Sequence, residues 1–364
     1  MILPRFGGEG YISGVGRSTV ALVDALFDAE KNFNIALYST GLNSYWIKDL
    51  KYSCKKYRFL LPQKIGTQLT NIEPFYINRF LKKDLIHIPH NFDVVSKKDK
   101  WVVTIHDTCL YDIAKREKNK YLMSLWENSA KNSSGIITCS ENSKFDIIDR
   151  FHVPEEKVDV VPWGISHDIF YKSSSIENKI ILTQLGLYGK YFLSVSCANE
   201  RKNMFNLFKS FEKFASINTE VSLVVLWSNP PKHIIERYFK LINSKRIIFL
   251  PYVTDRELNA LYNEALATLF PSRYEGFGFP IIESFACGTP VMTCRNSSLQ
   301  EIGKDLAVYT GEDDIEQMAN IMQGFYEKED HYNLMSDKFQ SYSNTYSWAV
   351  TAKAYINFYN KYLF

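Results

Sequence analysis

The chain has 364 residues, 46% of them hydrophobic and 23% charged, a composition typical of a soluble globular protein. Its length exceeds what one ordinary core accommodates and indicates two domains of roughly 150–200 residues each. The net charge of +3 is too small to indicate a nucleic-acid partner. No run of 18 apolar residues and no signal-peptide pattern occurs, so we predict a cytoplasmic protein. The six cysteines stand far apart without a C-x-x-C pair, which argues against a disulfide framework and a structural zinc site.

The first half of the chain alternates short apolar runs with helical periodicity. Gly14 and Gly16 precede a stretch whose apolar residues recur three and four positions apart, which predicts a helix. Helices are also predicted over 121–130 and 141–151, the second capped by Ser140. Five apolar runs are predicted to be buried parallel strands: 34–38, 85–88, 101–105, 135–138 and 158–161.

Basic residues are concentrated between these elements. Residues 51–100 contain 11 basic and 4 acidic side chains, and aromatic residues are interleaved with the basic ones between 51 and 83. Such a segment could rest peripherally on an anionic membrane surface or face an anionic acceptor. A solvated basic face over a packed core explains the same pattern, so peripheral membrane contact through 51–83 is one of two hypotheses.

A polar, serine-rich stretch at 171–179 is typical of a linker and sets the predicted domain boundary after Phe170. The alternation then restarts and predicts two doubly wound parallel sheets, one in each half of the chain. Because ligands bind at the carboxyl ends of parallel strands, two such domains facing each other predict a cleft between them. The strands predicted in the second half are 191–196, 221–226, 247–250, 267–270, 290–294 and 306–309.

The most informative stretch covers residues 272–291, S-R-Y-E-G-F-G-F-P-I-I-E-S-F-A-C-G-T-P-V. A predicted strand ends in a turn that holds Glu275, and Gly276 and Gly278 precede a helix that carries Glu283. Glycines let backbone N–H groups approach an anion and a helix N-terminus favours negative charge, so a diphosphate fits this turn. Glu283 would then bind a ribose diol, and Glu275 would reach the sugar beyond the phosphates. On spacing alone, a structural explanation is equally good: Glu275 caps the helix and Gly278 allows close packing.

This stretch resembles the E-x7-E signature of the family 4 retaining glycosyltransferases, through S-x-x-E-G-F-G-x-P-x-x-E-x-x-A-x-G-T-P-V. The resemblance implies an α/β protein of the GT-B fold, with two facing Rossmann-like domains and an interdomain cleft. Residues 1–170, joined by the C-terminal helix at about 347–364, would bind the acceptor. Residues 171–346 would bind the nucleotide-sugar donor, with Phe277 and Phe279 of the same turn among its contacts.

Two further segments resemble donor-binding parts of the family. Gly14 and Gly16 match its N-terminal glycine loop, which approaches the donor phosphate, and Arg17 follows on the acceptor side. A simple tight turn explains these glycines equally well. The loop containing Val253 resembles the one that cradles the nucleotide base, but the family usually has a glycine where Pro251 or Tyr252 stands, so the base cannot be inferred.

A histidine ends one of the predicted strands. His106 follows the strand at 101–105, where the family has a histidine near the donor sugar and the reaction centre. A histidine held by backbone hydrogen bonds is the structural alternative. Asp107 and His90 are candidates for the acceptor side. For His90 and the neighbouring His87, a structural role is the more frequent explanation.

A basic segment follows the first strand of the second domain. A cation at this strand end can neutralise a diphosphate without a metal. The segment resembles the family's R-K-N/G element, in which the lysine contacts the diphosphate, and Lys202 occupies that position. Several relatives have a further arginine where this chain has Ser196, so either Arg201 substitutes for it or the diphosphate is held with one fewer charge. An exposed basic helix cap is the structural alternative.

The resemblance implies retaining, metal-independent transfer of a sugar from a GDP- or UDP-sugar to a saccharide or lipid-linked acceptor. No cofactor is expected, and no convincing D-x-D metal motif follows a strand. The segments around His106 and His90 look most like bacterial polysaccharide mannosyl- and rhamnosyltransferases, which favours mannose or a related hexose and surface-polysaccharide synthesis.

Three other functions are alternatives to sugar transfer. A nicotinamide dehydrogenase needs a full G-x-G-x-x-G fingerprint, but the third glycine position is Thr19. A non-catalytic nucleotide-sugar-binding protein should have lost Glu275, Lys202 or His106, and this chain keeps all three. A sugar phosphorylase or hydrolase on the same fold remains an alternative.

Overall fold

The computed structural model describes residues 1–3, 14–29, 34–40, 50–59, 84–89, 100–195 and 200–363. The chain divides into two compact units. The first unit contains Met1–Gly164 and Trp348–Phe364, and the second contains Ile165–Ser347. The sequence placed the corresponding domain boundary after Phe170.

The first unit contains two parallel sheets, one with the strand order β1-β2-β3 and one with the order β4-β5-β6-β7. Every residue of β5 and β6 is buried, as expected for parallel strands covered on both faces. The strands are β1 (Ile2–Leu3), β2 (Ala36–Thr40), β3 (Lys55–Phe59), β4 (Ile86–Ile88), β5 (Trp101–Thr104), β6 (Gly135–Thr138) and β7 (Val158–Val160). The helices are Gly14–Ala29, Cys109–Arg116, Lys120–Asn132, Glu141–Phe151 and Trp348–Leu363, with a 3-10 turn at Glu155–Lys157.

The C-terminal helix Trp348–Leu363 packs within the first unit. Its buried face joins a hydrophobic cluster that includes Leu22 of the first helix and Val102 and Ile137 of the sheet. The close approach needs a glycine in β6, because a Cβ added at Gly135 would lie 2.2 Å from the hydroxyl of Tyr362. The end of the chain thus completes the core that the N-terminal segments begin.

The described residues of the second unit form one six-stranded parallel sheet, in the order β10-β9-β8-β11-β12-β13, together with helices. The strands are β8 (Tyr191–Ser194), β9 (Ser222–Leu226), β10 (Ile247–Leu250), β11 (Ala267–Phe270), β12 (Val291–Cys294) and β13 (Val308–Thr310). The helices are Ser175–Gln184, Met204–Ile217, Lys232–Arg237, Phe239–Asn243, Asp255–Glu264, Phe279–Ala286, Ser297–Gly303, Ile315–Glu327, Glu329–Leu334 and Ser336–Ser343, with a 3-10 turn at Glu200–Lys202. The strand order runs outward in both directions from the β8–β11 pair, which is the arrangement of a doubly wound sheet.

The predicted linker at 171–179 is wrong. A helix begins at Ser175, and the segment before it is fixed to the second unit by two asparagine side chains. The backbone N–H of Tyr171 donates to Asn259 at 3.1 Å, and that of Ser173 donates to Asn263 at 3.0 Å. The backbone N–H groups of this segment are satisfied by side chains that lie 88 and 90 residues further along the chain. A local sequence pattern cannot reveal such distant partners.

One further prediction differs from the structure, and one strand was not predicted. Gly14 is the first residue of the helix Gly14–Ala29 and Gly16 lies in its first turn, so the prediction that both precede the helix is wrong. The first N–H groups of a helix have no intrahelical partner, so a glycine is tolerated there better than in the interior. The strand Lys55–Phe59 was not predicted, because its alternation is carried by basic residues and not by apolar ones.

The motif glycine Gly288 provides a test of the fold. It follows the helix Phe279–Ala286 with φ of 76°, and an added Cβ would lie 2.0 Å from the hydroxyl oxygen of Ser336. We expect Gly288→Ala to lower the free energy of unfolding by about 2–4 kcal/mol, from left-handed strain and overpacking together. Urea denaturation measures the change.

Gly324→Ala is the matched control for Gly288→Ala. Gly324 lies inside the helix Ile315–Glu327 and has no atom within 4 Å of an added Cβ. We expect this substitution to raise the free energy of unfolding by about 0.5–1 kcal/mol. Equal effects of the two substitutions would contradict the proposed origin of the Gly288 requirement.

Candidate active site

The sheet of the second unit reverses its strand order between β8 and β11. At such a switch point the connections leave in opposite directions and open a crevice at the carboxyl ends of the strands. The 3-10 turn Glu200–Lys202 comes after β8, and the loop that contains Glu275 comes after β11. The N–H of Arg273 donates to the carbonyl of Arg201 at 2.8 Å, so the two connections are joined by their backbones.

The carboxylate of Glu275 is at the centre of this switch point. Its Oε1 lies 2.6 Å from the ammonium nitrogen of Lys202 and accepts a hydrogen bond from Ser272 Oγ at 2.6 Å. Its Oε2 lies 2.8 Å from Nη1 of Arg201. Arg201 also donates to the carbonyl of Tyr274, at 2.5 Å. Both carboxylate oxygens are therefore held by cations, and the three residues form one cluster.

Burial and charge act in opposite directions on Glu275. The residue is buried, and desolvation alone would raise the pKa of its carboxyl group. The positive charges of Lys202 and Arg201 outweigh this effect and lower the pKa below its ordinary value, so the group is ionised at neutral pH. Two cations against one carboxylate leave a net charge of +1. Because 16% of the Lys202 side chain and 23% of the Arg201 side chain remain exposed, this charge is within reach of an anion.

Two serines of the helix Ser297–Gly303 fix the turn that follows Glu275. Ser297 Oγ accepts from the N–H of Glu275 at 3.1 Å, and Ser298 Oγ donates to the carbonyls of Glu275 and Phe277, both at 2.9 Å. Gly278 ends the turn with φ of 103°, and an added Cβ would lie 3.0 Å from Leu299. The glycine is thus needed both for the backbone conformation and for close packing, and it places the N-terminus of the helix Phe279–Ala286 at this edge of the sheet.

The remaining predicted donor residues of this unit lie on neighbouring elements. Glu283 is half-buried in the helix Phe279–Ala286 and accepts a hydrogen bond from Tyr262 at 2.7 Å. Phe277 and Phe279 contact each other edge to face, with ring centroids 5.2 Å apart. Val253 is buried in the loop after β10, directly before the capping box formed by Thr254 and Glu257.

His106 lies in the first unit, two residues after the end of β5. It is buried, its Nε2 lies 3.1 Å from the carbonyl oxygen of Pro89, and its ring packs edge-on against Trp163 with centroids 4.7 Å apart. His106 and Trp163 line a small pocket, together with Ser18 and Thr19 of the first helix. His106 is therefore anchored through one ring nitrogen and does not sit on an exposed loop.

The other candidates of the first unit are more dispersed. Arg17 is exposed on the first helix. Asp107 accepts from the N–H of Cys109 at 2.9 Å, at the start of a helix. His87 joins one buried and one partly buried hydrogen bond, with Thr104 and Tyr359, and has the structural role expected of it. His90 and Ser196 lie outside the described residues.

Sequence reasoning missed the hydroxyl groups that hold the site together. Ser272 belongs to the quoted motif, so its spacing from Glu275 was available as a signal. Ser297 and Ser298 open a helix after β12, and no local pattern indicates that their hydroxyls contact the turn of Glu275. The contact of Tyr262 with Glu283 and that of Trp163 with His106 had no sequence signal, because each joins elements that are separate in the chain.

The described part of the basic segment packs on the first helix. Lys51 forms an ion pair with Asp24 at 3.0 Å, and Tyr52 donates to the same carboxylate at 3.0 Å. Residues 60–83 lie outside the described residues. Across the described ranges no helix has the length and apolarity to span a membrane, and no three His, Cys, Asp or Glu side chains are grouped as metal ligands.

Two family models match the chain over most of its length. Glycosyl transferases group 1 matches residues 183–341, and glycosyltransferase family 4 matches residues 12–169. The chain belongs to glycosyltransferase family 4. Among curated members, it is 25% identical to the O-antigen chain mannosyltransferase B of Escherichia coli over 249 residues, which is 66% of this chain and 65% of that relative. The match therefore spans less than two thirds of the relative's length.

Solved structures confirm the predicted fold class. The sucrose-phosphate synthase of Thermosynechococcus elongatus gives a TM-score of 0.76 at 17% identity, covering 99% of this chain and 98% of that one. HepE of Anabaena, solved in complex with UDP and glucose, gives a TM-score of 0.75 at 15% identity with the same coverage. The α/β chain with parallel sheets thus has the GT-B fold of family 4 glycosyltransferases.

Proposed function

We propose that this family 4 member transfers a sugar from a nucleotide-diphosphate donor to a saccharide or lipid-linked saccharide acceptor, with retention of anomeric configuration and without a metal. The observation that carries the proposal is the Glu275–Lys202–Arg201 cluster at the switch point of the second sheet. Its net positive charge offers the electrostatic stabilisation that a departing diphosphate needs. The unit Ile165–Ser347 binds the donor in this proposal, and the other unit binds the acceptor.

The proposed residue roles follow from charge and placement. Lys202 and Arg201 stabilise the diphosphate, together with N–H groups of the turn at Gly276 and Gly278. Glu275 orients both cations and the donor sugar. Glu283, already a hydrogen-bond acceptor, binds the ribose diol. In the first unit, Gly14 and Gly16 approach the donor phosphate, His106 contacts the donor sugar, and Arg17, His90 and Asp107 contribute to acceptor binding.

The proposed reaction takes place on one face of the donor sugar. The bond between the anomeric carbon and the diphosphate oxygen breaks as the acceptor oxygen bonds to the same carbon. The acceptor proton passes to the departing phosphate oxygen, so no protein carboxylate acts as nucleophile. The protein contributes positioning and charge stabilisation, which are the terms that the cationic cluster can supply.

Mannose or a related hexose is the proposed sugar, in bacterial surface-polysaccharide synthesis. The likeness to an O-antigen chain mannosyltransferase supports this choice. The structural neighbour bound to UDP supports a nucleoside diphosphate as the leaving group, and GDP and UDP both fit the proposal. A cytoplasmic location and peripheral membrane contact through 51–83 stay predictions.

A thermal-shift screen against GDP-, UDP-, dTDP- and ADP-sugars tests the proposed function. A donor present at 100 times its Kd should raise the Tm by about 5–10 °C, since binding to the folded state alone stabilises it. The donor that raises the Tm is then incubated with saccharide acceptors, and transfer of labelled sugar is measured. A Tm unchanged by every nucleotide sugar would contradict the proposal.

The same assay distinguishes the alternative functions. Release of free sugar without an acceptor indicates a hydrolase, and turnover that requires inorganic phosphate indicates a phosphorylase. A donor that binds without any turnover indicates a non-catalytic nucleotide-sugar-binding protein. Each of these three results would contradict sugar transfer.

A further inference from the structure

The 3-10 turn that carries Arg201 and Lys202 is attached to neighbouring loops at two points. At the first point, the carbonyl oxygen of Arg201 accepts from the N–H of Arg273 at 2.8 Å and from Ser272 Oγ at 3.1 Å. The second point is the side chain of Asn203, the residue that follows the turn. Lys202 lies between the two attachment points, so the position of its ammonium group depends on both.

Asn203 is held by two partners from other parts of the chain. It is buried and has a left-handed backbone conformation with φ of 57°, which asparagine adopts more readily than most residues. Its Nδ2 donates to the carbonyl oxygen of Glu312 at 2.6 Å, and its Oδ1 accepts from Nη2 of Arg273 at 3.2 Å. The direction in which the chain leaves the turn is therefore fixed by contacts with two other loops.

Glu312 connects the loops at the carboxyl edge of the second sheet. It follows β13, and its carbonyl oxygen contacts Asn203, which comes after β8. Its Oε2 accepts from Nη1 of Arg273, after β11, at 3.3 Å, and its Oε1 accepts from Nδ2 of Asn296, after β12. One residue thus joins the connections that follow four strands of the sheet.

Arg273 contacts three side chains at once. Its guanidinium donates to Asn203, Glu312 and Asp313. A guanidinium has five N–H donors in a rigid planar fork, whereas the ammonium group of a lysine is a compact point charge. We therefore expect Arg273→Lys to keep the charge beside the two carboxylates but to lose the contact with Asn203.

We propose that Arg273 and Glu312 are positioning residues of the candidate active site. By fixing Asn203 they hold the turn, and the turn holds the ammonium group of Lys202 on the carboxylate of Glu275. Lys202 Nζ lies 2.6 Å from Glu275 Oε1. A displacement of the turn by about 1 Å would therefore end this hydrogen bond. The consequence for a bound diphosphate rests on the proposed function, whereas the contact between Lys202 and Glu275 does not.

Carbon-13 NMR of the full chain tests the position of Lys202 without any nucleotide. Burial raises the pKa of the Glu275 carboxyl group, but the facing charges of Lys202 and Arg201 outweigh burial and lower this pKa. The carboxyl signal of Glu275 is identified by its loss in Glu275→Gln and is followed in a pH titration. In Arg273→Lys, displacement of Lys202 should raise the pKa of Glu275 above its wild-type value, although the charge at position 273 is unchanged.

Glu312→Ala is the second variant, and it separates the effect of position from the effect of charge. Removal of a negative charge would by itself lower the pKa of Glu275. Loss of the contacts with Arg273 and Asn296 should instead raise this pKa, through displacement of Lys202. In either variant, a pKa of Glu275 at or below the wild-type value would overturn the positioning role of the substituted residue, even if the variant were less stable.

A double-mutant cycle tests the effect on the diphosphate, with the nucleoside diphosphate of the donor that the screen identifies. Arg273→Lys should weaken nucleotide binding about 3- to 10-fold when Lys202 is present and less than about twofold in the Lys202→Ala background, because the effects of coupled residues are not additive. Calorimetry measures the four affinities. Equal effects in the two backgrounds would overturn the role of Arg273 in directing Lys202 toward the diphosphate.

Arg237→Lys is the matched control. Arg237 pairs with Glu212 at the surface of the same unit, at 3.0 Å. This variant should leave the pKa of Glu275 and the nucleotide affinity unchanged. Failure of the wild-type protein to bind any nucleotide, together with the expected rise in the pKa of Glu275 in Arg273→Lys, would contradict the proposed function alone. Nucleotide binding without any response to Arg273→Lys would contradict the positioning proposal alone.

Discussion

Glu275→Gln should remove most sugar transfer while the nucleoside diphosphate product still binds. The substitution keeps the shape of the side chain but removes its charge, so Lys202 and Arg201 lose the carboxylate that holds both of them. We expect kcat to fall about 10²- to 10³-fold, the range typical for loss of one oriented electrostatic group in an active site. The affinity for GDP or UDP, measured by calorimetry, should be unchanged or up to about tenfold tighter, because two uncompensated cations then face the diphosphate.

The acid stability of the same variant provides an independent readout. The lowered pKa of Glu275 means that its ion pairs contribute stability above the ordinary value of 4.5 and lose it as the pH falls through the lowered value. In Glu275→Gln, the loss of stability in acid that comes from protonation of Glu275 should disappear. The free energy of unfolding of this variant at pH 7 should be lower than that of the wild type by up to about 3 kcal/mol.

Glu329→Gln serves as the control for Glu275→Gln. Glu329 pairs with Lys190 at the surface, where ion pairs contribute less than about 1 kcal/mol. This control should transfer sugar at the wild-type rate and keep the acid profile. A Glu275→Gln enzyme with a near-wild-type kcat would remove the role assigned to the cluster.

The core strands were predictable because a parallel strand that is buried on both faces needs a continuous run of apolar residues, which is visible in the local sequence. The apolar runs that form β6, β10 and β11 have the predicted bounds in the structure. The strand Lys55–Phe59 was not predictable by the same rule. It lies at the edge of a three-stranded sheet, and its partly buried side chains, Lys56 and Arg58, are basic and not apolar.

Part of the site was predictable from strand ends alone. Lys202 and Glu275 follow two strands that a doubly wound order makes neighbours, and the structure brings their side chains into direct contact. The sequence did not show that Arg201 contacts the same carboxylate, because the conformation of a 3-10 turn determines which side chains face it. The hydroxyl contacts of Ser297 and Ser298 were equally hidden, since they depend on a loop and the start of a helix meeting in space, 22 residues apart in the chain for the Ser297 contact.

Lys202→Ala should reduce transfer about thousandfold and weaken nucleotide binding about 10- to 100-fold, through the loss of a charge-assisted contact to the diphosphate. The sign of the change in nucleotide affinity is thus opposite to that expected for Glu275→Gln. Calorimetry with GDP or UDP and steady-state transfer assays measure the two effects. Lys213→Ala, which removes an exposed lysine paired with Glu316 in the same unit, should change neither quantity.

The double variant Arg201→Ala with Lys202→Ala tests the prediction that Arg201 takes the place of the arginine that the family resemblance implies at position 196. If both cations act on the diphosphate, the single variants should each retain part of the nucleotide affinity, and the double variant should lose more than either alone. Glu275 would then be buried without a cation within contact distance of its carboxylate, so its pKa should rise and the fold should lose stability at neutral pH instead of in acid. If removal of Arg201 changes stability but leaves nucleotide affinity unaltered, its charge serves only to hold Glu275, and Lys202 alone stabilises the leaving group.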